Sequence, residues 1–260
     1  MKICICTIIK NEHDYLDEYI QYHLNAGIDH IFFFEDYGTE THKDITDKYR
    51  NNVTLQHIDT ILDDHARHTA AHYKRWVHGV YFQFALWHIK TNFDYNWCFA
   101  TDVDEFISFK DRALTPENLR NFLEDKNDFD AIWLHWQNFN ANGHIHKPDY
   151  SKVGVVSTYT KECGMFTKSD KWTTSKFVYN LNNYEFLFCR DQHRIYPKCH
   201  YTEYPDVIYL RHYITKSWEE FIWKLKMRGT FSVNHRPIED FFKLNPELED
   251  KKNKLLSELK

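Results

Sequence analysis

The chain has 260 residues, 42% of them hydrophobic and 27% charged, which fits a globular protein with a sizeable core and excludes a disordered one. A formal charge of −5 gives no electrostatic reason to expect nucleic acid as a partner. No apolar run reaches the ~20 residues a bilayer crossing requires, and the opening apolar stretch is too short for a signal-peptide core. The chain as given is therefore expected to be cytoplasmic with reduced thiols. Its six cysteines, Cys4, Cys6, Cys98, Cys163, Cys189 and Cys199, form no CxxC pair, and most read as small buried apolar residues. Aromatics are abundant (20 Phe, 17 Tyr, 8 Trp), enough for a heavily packed interior with some exposed rings.

Residues 3–9 read as a buried strand. Asn11 is expected to cap a helix that sets Tyr15, Leu16, Tyr19, Ile20, His23 and Leu24 on one face and ends at Gly27. Residues 28–34 form a second apolar run closing on Glu35-Asp36, followed by a polar segment with Gly38, a short helix over 43–50 and a strand over 53–58. Alternating strand and helix is the signature of a parallel sheet with helices on both faces. A helix is predicted over 65–90 with Tyr81, Phe82, Ala85, Leu86 and Ile89 on its apolar side. His65, His68 and His72 have helical spacing there, but without an HExxH pattern they read as a solvated or sugar-contacting face.

Next comes Trp97-Cys98-Phe99-Ala100-Thr101-Asp102-Val103-Asp104-Glu105-Phe106, an apolar run that ends abruptly in carboxylates. If the run continues as a strand, Asp102 and Asp104 point the same way and Glu105 the other, as a hydrogen-bonding support. Two hard oxygen donors at the mouth of a sheet suit Mg²⁺ or Mn²⁺, and strand ends in open α/β sheets are where ligands bind. A helix starting at Pro116 runs to Asp125. A strand covers 130–136, and a turn-rich loop follows from Asn138 to His144. Strands are predicted over 153–159, 176–181, 184–189 and 207–212. Ser217-Trp218-Glu219-Glu220 makes a capping box for a helix through Gly229. Residues 238–260 read as a charged helix or two, loosely packed.

Several segments together resemble glycosyltransferase family 92, a group related to family 2. They are Ile9-Lys10-Asn11-Glu12 with the helix from Tyr15 to Leu24 and Gly27-Ile28-Asp29-His30, then Trp97 with Asp102-Val103-Asp104-Glu105-Phe106. Trp136, Phe139, Gly143 and His144 make a third segment. The fourth is His212, Tyr213, Lys216, Ser217, Glu219, Glu220, Phe221, Lys224, Arg228 and Gly229. The resemblance covers roughly residues 3–230, and four segments in order are far more specific than Asp-x-Asp alone. One departure is Phe139-Asn140, where the family has Phe-Gly, which bears on the acceptor side.

The resemblance implies an α/β fold of GT-A type: a mostly parallel central sheet flanked by helices, in one domain over residues 1–235. Its nucleotide-sugar-binding half would be 1–110 and its acceptor-binding half 111–235, with a helical extension over 236–260. It implies a metal-dependent, inverting transfer of a sugar from a nucleotide-diphosphate donor, UDP-hexose first, to a glycan or lipid-linked acceptor, with Mn²⁺ or Mg²⁺ as cofactor. Asp102 and Asp104 would hold the metal with His212, for which His193 and His144 are competitors. Thr7, Lys10, Asn11, Glu12, Asp36, Thr101, Asp102 and Lys216 would line the donor, and Trp136 and His144 the acceptor. Inversion requires a base for the acceptor hydroxyl. Asp191 is placed there by its order along the fold, with Asp170, Glu185 and Glu162 left open.

The family context points to surface polysaccharide or lipopolysaccharide synthesis at the inner face of a membrane, with any peripheral contact through basic and aromatic residues near the C-terminus. Two other classes share the acidic centre. A metal-dependent hydrolase of nucleotide sugars or phosphoesters would use water as its only acceptor. A non-catalytic sugar- or nucleotide-binding module would bind donor without metal-dependent turnover.

Overall fold

The structure, a computed structural model, describes residues 1–36, 38, 41–62, 77–163, 175–185, 189–191, 194–195, 197–227 and 238–259. In chain order the strands and α-helices are β1 (Ile3–Ile9), α1 (Leu16–Asn25), β2 (His30–Glu35), α2 (Lys43–Thr46), β3 (Val53–His57), α3 (Val77–Asn92), β4 (Trp97–Ala100), β5 (Glu105–Phe109), α4 (Pro116–Glu124) and β6 (Ala131–Phe139). They continue with α5 (Val155–Thr158), β7 (Glu162–Cys163), β8 (Ser175–Asn180), β9 (Cys189–Asp191), β10 (Arg194–Ile195), β11 (Tyr201–Glu203), β12 (Ile208–His212), α6 (Trp218–Met227), α7 (Ile238–Leu244) and α8 (Lys252–Ser257). The chain divides into two compact units, residues 1–136 with 171–210 and residues 137–170 with 211–260.

The first unit is built on a sheet ordered β3-β2-β1-β4-β8-β6-β12-β5, with β11 added on β6. Its first four strands are mutually parallel, as the alternation of strand and helix predicts. β8 then enters antiparallel to both β4 and β6, making the sheet mixed. Burial on both faces explains the unbroken apolar run of β1, whose seven residues are all buried. The pleat sends alternate residues to opposite faces. Cys4, Cys6, Phe32, Phe34, Cys98 and Ala100 pack with Phe82, Ala85, Leu86 and Ile89 of α3. Phe33 meets Tyr19 of α1, with ring centroids 6.1 Å apart. No disulfide forms among Cys4, Cys6, Cys98, Cys163 and Cys199.

Helix α1 buries Leu16, Tyr19, Ile20 and His23, the one-face set expected of it. Its N-terminal boundary differs from expectation. A 3₁₀ turn (His13–Tyr15) precedes it, and no side-chain cap forms at Glu12 or Tyr15. Asn11 instead takes a left-handed backbone, φ +54°. A Cβ on Gly38 would lie 2.5 Å from the Asn11 amide oxygen, so the second strand's loop passes close over this residue. Gly27 ends the helix as predicted, at φ +96°, where a Cβ would fall 2.6 Å from the Cα of Pro116. Pro116 opens α4 behind Thr115, whose hydroxyl accepts the Asn118 N–H at 3.2 Å. The predicted helix over 43–50 is one α turn, α2, continued as a 3₁₀ turn over Asp47–Tyr49.

The second unit holds the end of β6, which pairs with β7, and the helices α5 to α8. The strand expected over 153–159 is instead the single helical turn α5. Its start is Gly154, whose carbonyl accepts both the Ser157 and Thr158 hydroxyls, so short polar side chains override the β-branched composition. The C-terminal stretch is not loose. Phe241, Phe242, Leu248 and Leu255 form a buried cluster with Trp218, Phe221 and Ile222 of α6. The strand expected over 184–189 begins only at Cys189 among the described residues. Among the described residues, no helix is long and apolar enough to cross a membrane.

Candidate functional site

The apolar run of β4 stops at Ala100 because the next residues turn rather than extend. The Glu105 N–H donates to the Asp102 carbonyl at 3.1 Å, and the Glu105 carboxylate accepts the Asp102 N–H at 3.0 Å. This reciprocal pair closes a four-residue turn over 102–105. The two aspartates are therefore arranged by a turn and not by a strand's pleat, which corrects the alternation expected from their spacing. Glu105 does act as the expected hydrogen-bonding support, folded back onto the turn instead of facing away. Asp104 is 7% exposed and Glu105 fully buried, while the Asp102 side chain is about a third exposed.

Register places this turn at the carboxyl ends of the parallel strands. Ala100 pairs with Cys6, and the Thr101 N–H donates to the Cys6 carbonyl at 3.2 Å. Thr7 and Thr101, both fully buried, share the hydroxyl of Tyr19, which lies 3.3 Å from Thr7 Oγ1 and 2.7 Å from Thr101 Oγ1. Burial, foremost, pushes the Tyr19 phenol up, so it stays protonated. At the ends of β1 and β2 the Lys10 ammonium sits 3.2 Å from Asp36. Behind it, buried His42 donates from Nδ1 to Glu35 at 2.6 Å and accepts the Glu12 N–H on Nε2 at 3.1 Å. The hydroxyl of Tyr15 donates to the Glu12 carboxylate. Lys10, Glu12 and Asp36, expected at the donor from the resemblance, are thus brought together at the carboxyl ends of β1 and β2.

A lysine that sequence reasoning did not single out completes the acidic turn. Lys176 of β8 is fully buried and donates to Asp102 Oδ2 at 2.8 Å, with Glu105 Oε1 at 3.8 Å. Its ammonium lies 5.3 Å from the Phe82 ring centroid, a cation–π distance. Burial alone would pull this lysine's pKa down. Asp102, Glu105 and Asp104 outweigh it and hold the group up, as an ammonium. Burial pushes Glu105 well up, with Lys176 opposing and Asp102 and Asp104 adding to the rise. The available signal was the charge itself, the one lysine in an otherwise uncharged strand, Ser175-Lys176-Phe177-Val178-Tyr179-Asn180.

In the second unit His212 is buried and shares a 3.0 Å hydrogen bond between Nδ1 and Asn138 Oδ1. An amide oxygen only accepts, so Nδ1 carries the proton and the ring presents Nε2 as an acceptor. Lys216 is buried with φ +49°, immediately before the predicted capping box. That box forms: the Ser217 hydroxyl accepts the Glu220 N–H at 3.2 Å, and the Glu220 carboxylate accepts the Ser217 N–H at 3.2 Å. Tyr150 and Tyr159 also donate to Glu220, at 2.8 and 3.0 Å. Burial and the neighbouring carboxylate push both phenols up. His144 is exposed, its ring edge-on to Tyr159 at 5.7 Å.

The sequence profile of glycosyltransferase family 92 matches residues 1–250. The chain belongs to glycosyltransferase family 92. Family 92 proteins of Ricinus communis and Oryza sativa are 22% and 25% identical to it over 162 and 161 residues, each match covering 61% of this chain. Those matches cover 26% and 24% of the plant proteins, so the chain spans about a quarter of the length of these curated relatives. Among solved structures, Staphylococcus aureus TarS is 13% identical, with a TM-score of 0.47 over 86% of this chain and 38% of that one. The α/β architecture that family 92 implied, with its acidic segment at the carboxyl edge of a parallel half-sheet, is the one described above.

The remaining candidates of this family 92 chain divide by unit. Trp136, half-buried in β6, belongs to the first unit, and His144, His212 and Lys216 to the second. Asp191 lies in β9, its backbone paired with Arg194, and its side chain lies outside the described part. Glu162 and Glu185 are exposed. His65, His68, His72, Asp170, His193, Arg228 and Gly229 lie outside the described residues.

Proposed function

We propose that this chain transfers a sugar from a nucleotide-diphosphate donor, UDP-hexose first, to a hydroxyl of a glycan or lipid-linked acceptor, with inversion at the sugar carbon. The observation that carries the reading is the closed acidic turn at the carboxyl end of parallel strands, beside the edge that bears Lys10 and Asp36. That edge is where a nucleotide binds in open α/β sheets. Lys10, Asn11, Glu12 and Asp36 would meet the base and ribose. Thr7 and Thr101 would support them from beneath through Tyr19, and Lys216 would meet a phosphate.

The donor chemistry of the chain fits a hard divalent cation, Mn²⁺ or Mg²⁺. Asp102 and Asp104 would hold it with His212, whose hydrogen bond to Asn138 orients the ring in the manner common to metal-bound histidines. When bound, such an ion neutralises charge growing on the departing diphosphate. Trp136 and His144 offer rings to an acceptor sugar. Asp191 is proposed as the base that accepts the acceptor hydroxyl's proton. The two halves expected at 1–110 and 111–235, with the extension over 236–260, are retained as the proposed division of labour. Work on surface polysaccharide or lipopolysaccharide at the cytoplasmic face of a membrane is proposed from family context.

A thermal-shift series with UDP, UDP-glucose and other nucleotide sugars, each with and without Mn²⁺, tests the donor. A ligand at ~100 times its Kd stabilises by about 2.7 kcal/mol. Stabilisation by a nucleotide sugar that requires Mn²⁺, followed by acceptor-dependent consumption of that donor, is the expected outcome. No stabilisation by any nucleotide would overturn the proposal. Sugar released with water as sole acceptor would mark a hydrolase, and donor binding without turnover a binding module.

A further inference from the structure

We infer, on the transferase reading above, that Lys176 is a built-in counter-cation of the acidic turn, which holds Asp102 in place and keeps the affinity for a bare divalent cation low. As a result the ion is bound firmly only together with a diphosphate. The turn collects three carboxylates, of Asp102, Asp104 and Glu105, and Lys176 reaches two of them, Asp102 at 2.8 Å and Glu105 at 3.8 Å. Asp102 is held on two sides, its N–H by Glu105 and its carboxylate by Lys176. The turn is therefore shaped before any ion arrives.

The lysine's position follows from the sheet. Phe177 of β8 pairs with Ala100 of β4, so the next residue of the antiparallel strand, Lys176, lies level with Thr101, just ahead of the turn. The side chain is fully buried, with its ammonium against the Phe82 ring as well as the carboxylates. A charge without access to water interacts with its neighbours more strongly than one at the surface. A divalent ion entering beside it meets a repelling charge and a carboxylate already engaged. A nucleoside diphosphate brings its own negative charge, which offsets that repulsion. Lys176 is thus a positioning residue that would couple metal to nucleotide through its hold on Asp102.

The test compares Mn²⁺ binding by calorimetry in the presence and absence of UDP, for the unaltered chain, Lys176→Met and Lys176→Arg. The unaltered chain is expected to bind Mn²⁺ weakly alone and at least tenfold more tightly with UDP. Lys176→Met, which keeps an unbranched stem against Phe82, is expected to bind Mn²⁺ alone at least tenfold more tightly and to lose most of the dependence on UDP. Lys176→Arg keeps the charge and is expected to stay within about threefold of the unaltered chain. Equal Mn²⁺ constants for Lys176→Met and the unaltered chain would overturn the inference while leaving the transferase reading standing. Absence of Mn²⁺ binding with UDP in the unaltered chain would remove both. If Lys176→Met does not fold, Lys176→Gln, which keeps a donor for Asp102 but no charge, takes its place in the same comparison.

Discussion

The hydroxyl of Tyr19 lies 2.7 Å from Thr101 Oγ1, which hangs the residue that leads into the acidic turn on the helix that follows β1. The same hydroxyl reaches Thr7 at 3.3 Å, so one side chain ties the ends of two parallel strands. Tyr19→Phe removes the link and leaves two buried threonine hydroxyls short of a partner. The expected loss is about 1–3 kcal/mol, read as a lower urea midpoint at unchanged slope. An unchanged midpoint would mean that water replaces the phenol and that the link contributes little.

Gly27 is required twice, by its φ of +96° and by the 2.6 Å approach that a Cβ would make to the backbone of Pro116. Gly27→Ala forces α1 and α4 to shift apart, and a loss of about 2 kcal/mol or more is expected. A thermal melt gives the readout. A variant as stable as the parent would show that the two helices separate at no cost.

His23 is buried in α1, donating from Nδ1 to the Tyr19 carbonyl at 2.9 Å and accepting the Ile107 N–H on Nε2 at 3.3 Å. Burial, opposed by the bond to Tyr19, holds its pKa down to about 3 from 6.5. The unfolded chain therefore binds the proton that the folded chain refuses. This histidine's contribution is intact above pH 6.5 and is lost as pH falls from there toward 3. At pH 4.5 the loss is about 2–3 kcal/mol. Urea midpoints followed from pH 7 to 4.5 should fall less steeply for His23→Phe than for the parent, whatever the variant's stability at neutral pH. Parallel slopes would contradict the assignment.

Asp104 and His212 are the residues on which the proposed metal chemistry most depends. Asp104→Asn keeps the shape of the turn and is expected to lower kcat/KM at least a hundredfold and to abolish the response to Mn²⁺. His212→Ala should shift the Mn²⁺ dependence to higher concentration, with a smaller effect on the melt. Normal turnover by Asp104→Asn would end the metal proposal. Rates of His212→Ala that match the parent at every Mn²⁺ concentration would make the histidine structural.

What could be read from the sequence was what depends on neighbours along the chain. The β1 run, the face of α1, the stop at Gly27, the start at Pro116 and the Ser217–Glu220 capping box are all set by residues within a turn or two of one another. The misreadings have physical causes of the same kind. Residues 153–159 have strand-forming composition, but Ser157 and Thr158 turn their hydroxyls onto the Gly154 carbonyl and wind a helix. Asp102 and Asp104 have strand spacing, but Glu105 bonds back to the Asp102 N–H and closes a turn. The lone charge of Lys176 in its strand could be seen, but its role could not, because its partners are far off in sequence and only the antiparallel entry of β8 brings them together.

That remoteness bears on how the chain comes to be made. Lys176 meets Asp102 across 74 residues of sequence, so a growing chain exposes the turn's carboxylates long before their counter-charge exists. A nascent chain cut short before β8 has mutual repulsion at the end of β4 and an open flank on that strand. Synthesis through β8 is thus needed before the turn's carboxylates are neutralised and β4 is covered, and truncation short of it is expected to yield aggregating rather than native material.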